Sequence, residues 1–134
     1  MAVVTTVPKQ RPIDQNGYVA NEDLSSSQYC AVVDAGASDA IVKVGLPSGQ
    51  GVRARGILQN APDEDEVANV MELGRSKGKA GEAFDSGVEL TVLNATGVLE
   101  EAASGDYVCA ISDEPATAAN QIVRVKVVTP YQKN

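Results

Sequence analysis

Val52-Arg53-Ala54-Arg55-Gly56-Ile57-Leu58-Gln59-Asn60-Ala61-Pro62, then Asp63-Glu64-Asp65-Glu66, then Val67-Ala68-Asn69-Val70-Met71-Glu72-Leu73-Gly74-Arg75-Ser76-Lys77-Gly78-Lys79-Ala80-Gly81, is the stretch whose reading decides the fold. It begins as a strand that ends in a turn, crosses an acidic tetrad, enters a second apolar segment and leaves through a glycine-punctuated basic stretch. The segment from Pro62 to Gly74 admits two readings on its residues. Pro62 suits a first helical position, the acidic tetrad suits a helix N-terminus and Gly74 suits a C-cap. Yet the segment is short and both flanks carry the marks of β structure. Helix and strand stay open at this point.

The flanks supply more strands. Gln28-Tyr29-Cys30-Ala31-Val32-Val33 stops at Asp34 to Asp39, and Ala40-Ile41-Val42-Lys43-Val44 stops at Gly45. Val52 to Leu58 is the third. Glu89 to Leu93 alternates, Asn94-Ala95-Thr96-Gly97 turns, and Val98-Leu99-Glu100 returns as a hairpin partner. Tyr107 to Ile111 is another strand. Residues Asp113 to Asn120 form a loop or a single helical turn. Ile122 to Val128 is the clearest strand, with Val123, Val125 and Val127 toward a core, Arg124 and Lys126 toward water, and Pro130 as its end. Short apolar runs separated by turn residues predict an all-β fold, a mainly antiparallel β-sandwich or small β-barrel, with at most a short helix.

The boundaries expected are an extended N-terminal arm over residues 1–27, one β domain over 28–128 and a tail over 129–134. In the arm, Pro8 and Pro12 bracket Lys9-Gln10-Arg11 and forbid regular helix. Isolated apolar residues follow in polar surroundings. The arm reads either as a frayed terminus or as a segment that orders on a partner, anchored by Val4, Val7, Pro8, Lys9, Arg11, Ile13 and Tyr18. On this view, deleting residues 1–24 spares the fold.

Composition narrows the function. The chain has 134 residues, 43% hydrophobic but only 4% aromatic, so its core must be aliphatic. The formal net charge of −7 disfavours nucleic acid and anionic membrane as partners. No apolar run is long enough to span a bilayer, and the N-terminus does not resemble a signal peptide. The two cysteines, Cys30 and Cys109, fall in apolar segments and are expected to be buried thiols of a protein made in a reducing cytoplasm.

The chain contains no histidine. A Ser-His-Asp or Cys-His machine is therefore excluded, and the commonest zinc ligand is missing. The carboxylates of Asp63 to Glu66, and of Glu100 with Glu101, suit solvated surface better than a glycosidase pair. The tetrad lacks the ligand spacing and central glycine of a calcium loop. Gly74 to Gly81 does not fit a P-loop, and turn chemistry explains its glycines. No catalytic, cofactor or metal residues are assigned, and the expectation is a protein without enzymatic activity or cofactor.

Gly56-Ile57-Leu58-Gln59-Asn60-Ala61-Pro62, followed by Glu66-Val67-Ala68-Asn69-Val70, Gly74 and Ala80-Gly81, resembles the central pattern of the small capsid cement, or decoration, proteins of tailed bacteriophages. Downstream, Ser86 to Thr91, Gly97, Ala103 to Asp106 and Ile122 to Val125 match the same rhythm. The similarity covers about Gln28 to Val128 and is most specific at Gly56 to Pro62. The spacer departs from it in being far more acidic, and Gly74 to Gly81 departs in carrying Arg75, Lys77 and Lys79. The resemblance implies a β module on the exterior of an icosahedral head, made in the bacterial host cytoplasm and bound to the major capsid protein at capsomer junctions. It also implies a homotrimer, stabilisation of the shell against DNA pressure, and strand rather than helix after Val67. Within it, Arg75, Lys77 and Lys79 become a loop that could touch the capsid. The alternative is a carbohydrate-type binding module using Tyr18, Tyr29, Phe84, Tyr107 or Tyr131, and a carboxylate hydrolase is a third reading.

Overall fold

A computed structural model describes residues 14–38 and 41–134. Nine strands follow in order, and no helix occurs among the described residues: β1 (Asp14–Ala20), β2 (Ala31–Ser38), β3 (Ile41–Gly45), β4 (Gly56–Leu58), β5 (Val67–Lys79), β6 (Glu89–Val92), β7 (Leu99–Glu101), β8 (Tyr107–Ser112) and β9 (Ile122–Gln132). The ambiguous segment after Pro62 is a strand. It is also longer than expected, since β5 runs 13 residues, about 40 Å at the ordinary strand rise.

That length lets β5 serve two sheets. Its first half pairs antiparallel with β1 and with β4. β4 pairs with β2, β2 with β3, and β3 with β1, so these five strands close into a small barrel with no free edge. Every pairing is antiparallel except β1 with β3. The second half of β5, from Gly74 to Lys79, leaves the barrel and pairs with β9 over six consecutive positions. β9 then pairs with β8, β8 with β6, and β6 with β7. A parallel bridge between Ala80 and Leu99 brings the far edge of this second sheet back to the end of β5. Gly74 marks the passage from one sheet to the other with φ of 126°, a value that L side chains rarely adopt.

Two cores result, separated by a shared wall. Ala20, Leu24, Val32, Val44, Leu58, Ala68 and Val70 fill the barrel. The larger core beyond it contains Ile57, Met71, Phe84, Leu90, Leu99, Val123, Val125 and Val127. Adjacent residues of the wall point to opposite cores: Ala31 against Val32, Ile57 against Leu58, Met71 against Val70. A strand buried on both faces carries a continuous apolar run rather than an alternating one, as Ala31-Val32 and Ile57-Leu58 do.

The stretch from Gly56 to Pro62 is the centre of that wall. A Cβ on Gly56 would lie 2.3 Å from the Met71 carbonyl oxygen, so only glycine lets β4 approach β5 this closely. Gln59 donates from its side chain to the Ile57 carbonyl and to Ser76 Oγ. The Asn60 amide donates to the Val67 carbonyl and accepts from the Asn69 N–H, clamping the start of β5. Pro62 is buried, and its carbonyl accepts from the Leu24 N–H.

Four expectations change. Residues 14–27 are not arm: β1 is a barrel strand, Leu24 is fully buried, and only residues 1–13 precede the barrel. Asp34 to Ser38 continues β2 rather than stopping it, because a register shift between Asp34 and Ala37 absorbs the polar residues and Gly36. The third expected strand shrinks to Gly56–Leu58. β9 passes through Pro130 to Gln132, since the proline falls where the β8–β9 register is broken and no ladder N–H is required of it. The expected hairpin at Asn94 to Gly97 is present, and the inward placement of Val123, Val125 and Val127 agrees with the alternating burial of β9.

Candidate functional site

Arg75, Lys77 and Lys79 do not lie in a loop. They occupy alternate positions on β5 and share its outward face, while Gly78 is packed inward against Leu99 and Val125. Glycines and charged residues had suggested a turn. Instead, Gly74 lets the strand turn between sheets, and Gly78 makes room for the side chains beneath it.

Register then adds two cations that the sequence placed separately. Arg75 stands opposite Lys126, and Lys77 stands opposite Arg124. Directly opposed residues of an antiparallel pair project to the same face, so five of the chain's eleven Lys and Arg residues form one ribbon. Like charges held opposite each other weaken a ladder, by roughly 0.2–1 kcal/mol per pair. Ile122, 43% exposed and opposite Lys79, borders the ribbon with apolar surface.

The ribbon is only partly neutralised. Arg75 pairs with Asp113 at 2.8 Å, and Arg124 sits 3.7 Å from Glu114, which also accepts the Arg124 N–H. Both arginine side chains remain largely in water, at 80% and 72% exposure. The Lys77 ammonium lies 5.6 Å from the centre of the Tyr29 ring. Lys79 is close enough to lower the Cys30 thiol pKa, although burial dominates and pushes it up. Among the described residues, Lys77, Lys79 and Lys126 form no ion pair.

The acidic tetrad lies at the other end of β5. Asp63, Glu64, Asp65 and Glu66 are all exposed, and up to about 30 Å of strand separates Glu66 from Arg75. The molecule is thus polarised: a carboxylate-rich barrel tip and a cationic strand pair.

A second polar cluster lies beside the wall. Tyr18 donates to Glu72 at 2.5 Å, Arg55 donates to Asp34 at 2.7 Å, and the Arg55 guanidinium lies over the Tyr18 ring, 5.3 Å from its centre. Burial, followed by the bond to Glu72, pushes the Tyr18 pKa up to about 12. An open groove of about 450 Å³ runs past Asp34, Arg53, Arg55 and Glu72. Its lining includes no aromatic side chain, and Arg55 already holds both Asp34 and Glu72.

The other residues singled out by sequence are dispersed. Val4, Val7, Pro8, Lys9, Arg11 and Ile13 lie outside the described residues, and Tyr18 belongs to β1 of the barrel. Of the aromatic residues considered for sugar stacking, Phe84 is buried in the larger core and the Tyr131 hydroxyl donates to Glu89. Cys30 and Cys109 are free and buried, and burial pushes the Cys109 thiol up to about 12. Among the described residues no cluster of three or more metal-ligating side chains occurs.

The sequence singles out the β5 row of the ribbon but not its β9 row. The available signal was the shared alternation, Arg75-x-Lys77-x-Lys79 and Arg124-x-Lys126. Joining them required a long-range register that no local pattern states.

The fold is similar to that of a phage protein. The crystal structure of the head fiber gp8.5 N base in bacteriophage phi29 matches with a TM-score of 0.66, over 86% of this chain and 93% of that one, at 15% sequence identity. No family model matches the chain, and no curated protein matches it. At that identity the likeness concerns the fold.

Proposed function

We propose that this protein is a structural component of a bacteriophage virion, a decoration protein attached to the outside of the head. One observation carries the reading: the likeness to a head fiber base spans nearly the whole of both chains, so the two-sheet unit is shared rather than one commonplace barrel. The pattern from Gly56 to Pro62, which resembles that of capsid cement proteins, occupies the shared wall on which both cores depend.

In this role the partner is the major capsid protein, met at capsomer junctions, and the working state is a trimer. The work is done by binding. Many identical copies each contribute a modest interface, and a copy that bridges neighbouring capsomers gains from effective concentration rather than from one strong contact. Residues 1–13 are the arm in this reading, with Val4, Val7, Pro8, Lys9, Arg11 and Ile13 as its contacts. Two packed cores joined by one wall suit a part that must resist pressure without changing shape.

The test is sedimentation with purified phage heads stripped of accessory proteins. The protein is expected to pellet with the heads and to saturate at a fixed number of copies per capsomer. Protein that stays in the supernatant at both low and moderate salt contradicts the reading.

A further inference from the structure

We propose that the outer face of the β5–β9 strand pair is the seat of attachment, and that it takes a carboxylate-rich patch on the shell protein. This rests on the decoration reading and adds to it the face used and the chemistry of the partner.

The chain carries 18 Asp and Glu against 11 Lys and Arg, so carboxylates are plentiful. Some are used in pairs: Arg55 with Asp34 and Glu72, Lys133 with Glu89, and on the ribbon itself Arg75 with Asp113 and Arg124 with Glu114. Yet among the described residues Lys77, Lys79 and Lys126 have no ion-pair partner. Three unpaired lysines on one face of an acidic protein, beside two arginines only partly neutralised by Asp113 and Glu114, are ready for anions from outside.

Arg75 opposite Lys126 and Lys77 opposite Arg124 place like charges in register, an arrangement that weakens the ladder in isolation and is relieved when anions bind between the rows. The rows sit on six consecutive backbone pairs backed by buried Val123, Val125 and Val127. Such a scaffold loses little conformational freedom on docking. Along β5 the cations repeat every second residue, about 6.7 Å, which is the spacing of alternate side chains on any extended acidic segment. Exposed Ile122 beside Lys79 gives the seat an apolar margin to desolvate.

Residues 1–13 of the chain itself are unsuited, since their only charged side chains are Lys9 and Arg11. A phosphate polymer is negative along its whole length and repels a body of net charge −7 wherever the ribbon does not face it. A local carboxylate patch on a shell protein does not require the partner to be anionic overall.

The experiment compares wild type with the triple variants Lys77→Glu/Lys79→Glu/Lys126→Glu and Lys77→Gln/Lys79→Gln/Lys126→Gln. Circular dichroism and denaturant melts establish that both remain folded. Co-sedimentation with stripped heads at 50, 150 and 400 mM NaCl is expected to show steep salt dependence for wild type. The glutamate triple is expected to lose about a hundredfold or more in affinity and the glutamine triple about tenfold, because the face loses and then reverses its charge. If wild type binds heads and the glutamate triple binds as well, the seat is elsewhere and the decoration reading stands. If wild type does not bind heads, the decoration reading fails. The ribbon is then probed on immobilised poly-L-glutamate, where lysine-dependent capture supports carboxylate recognition and its absence overturns it. Lysine-dependent binding to a single-stranded oligodeoxynucleotide without binding to poly-L-glutamate overturns the carboxylate assignment in favour of phosphate. Salt-sensitive self-association abolished by the glutamate triple overturns it in favour of a second copy docking its acidic tip.

Discussion

The two halves of this molecule share a wall and differ in almost everything else. The barrel closes five strands around a small core, with register breaks in β1 and β2, and ends in an exposed acidic tetrad. The second sheet holds the larger core, is built on a regular six-pair ladder between β5 and β9, and presents cations. One long strand thus carries two environments along its length. Val67 to Leu73 is built for closure, and Gly74 to Lys79 is built for display.

The largest expected effect comes from removing β1. Deleting residues 1–24 takes away a strand that bonds to both β3 and β5, together with buried Leu24. Loss of cooperative folding is expected in thermal and denaturant melts. Deleting residues 1–12 is expected to leave the melt unchanged while weakening association with phage heads. A folded 25–134 fragment would show that the barrel closes without β1.

Next come the neighbours that serve opposite cores. Leu58→Ala opens a cavity in the barrel and Ile57→Ala opens one in the larger core, each costing about 2–5 kcal/mol. Because the wall is common, both variants are expected to unfold in a single transition with unchanged m-value. Two transitions in urea, with only one shifted by each substitution, would separate the halves.

A smaller effect is expected at the clamp. Asn60→Ala removes the amide's bonds to the Val67 carbonyl and the Asn69 N–H, and should lower stability by about 1–2 kcal/mol in denaturant titration. No loss would mean that the acidic crossing holds β5 without it.

The smallest concerns Tyr18. Its folded pKa, raised from 10.0 to about 12 by burial and then by the bond to Glu72, exceeds the unfolded value. The neutral phenol is therefore favoured by folding. Its contribution is complete below pH 10 and is lost as pH rises through about 12. Wild type should lose stability between those limits in urea melts, and Tyr18→Phe should lose less over the same interval. Equal losses would assign the alkaline sensitivity elsewhere.

The same contrast explains what the sequence disclosed. The second sheet was largely legible because β9 has one face in the core and one in water, so Val123, Val125 and Val127 alternate with Arg124 and Lys126. The barrel was harder to read. β1 carries Asp14-Gln15-Asn16-Gly17, polar residues whose strand conformation comes from pairing with β5 residues 52 to 59 positions further along the chain. The register shift near Gly36 disguised the end of β2, and the positive φ at Gly74 disguised the middle of β5. Three of the five cations of the candidate site, Arg75, Lys77 and Lys79, stand together in the sequence. The rest depended on which strand lies beside them, a fact held in the tertiary pairing.

The central claim is that this two-sheet unit sits on a phage head with its cationic strand pair toward the shell. Cryo-electron microscopy of stripped heads incubated with the protein tests it most directly. Added density is expected on the outer surface, into which the barrel and second sheet fit with Arg75, Lys77, Lys79, Arg124 and Lys126 at the shell. Heads without added density, or density in which those five residues face solvent, would contradict it.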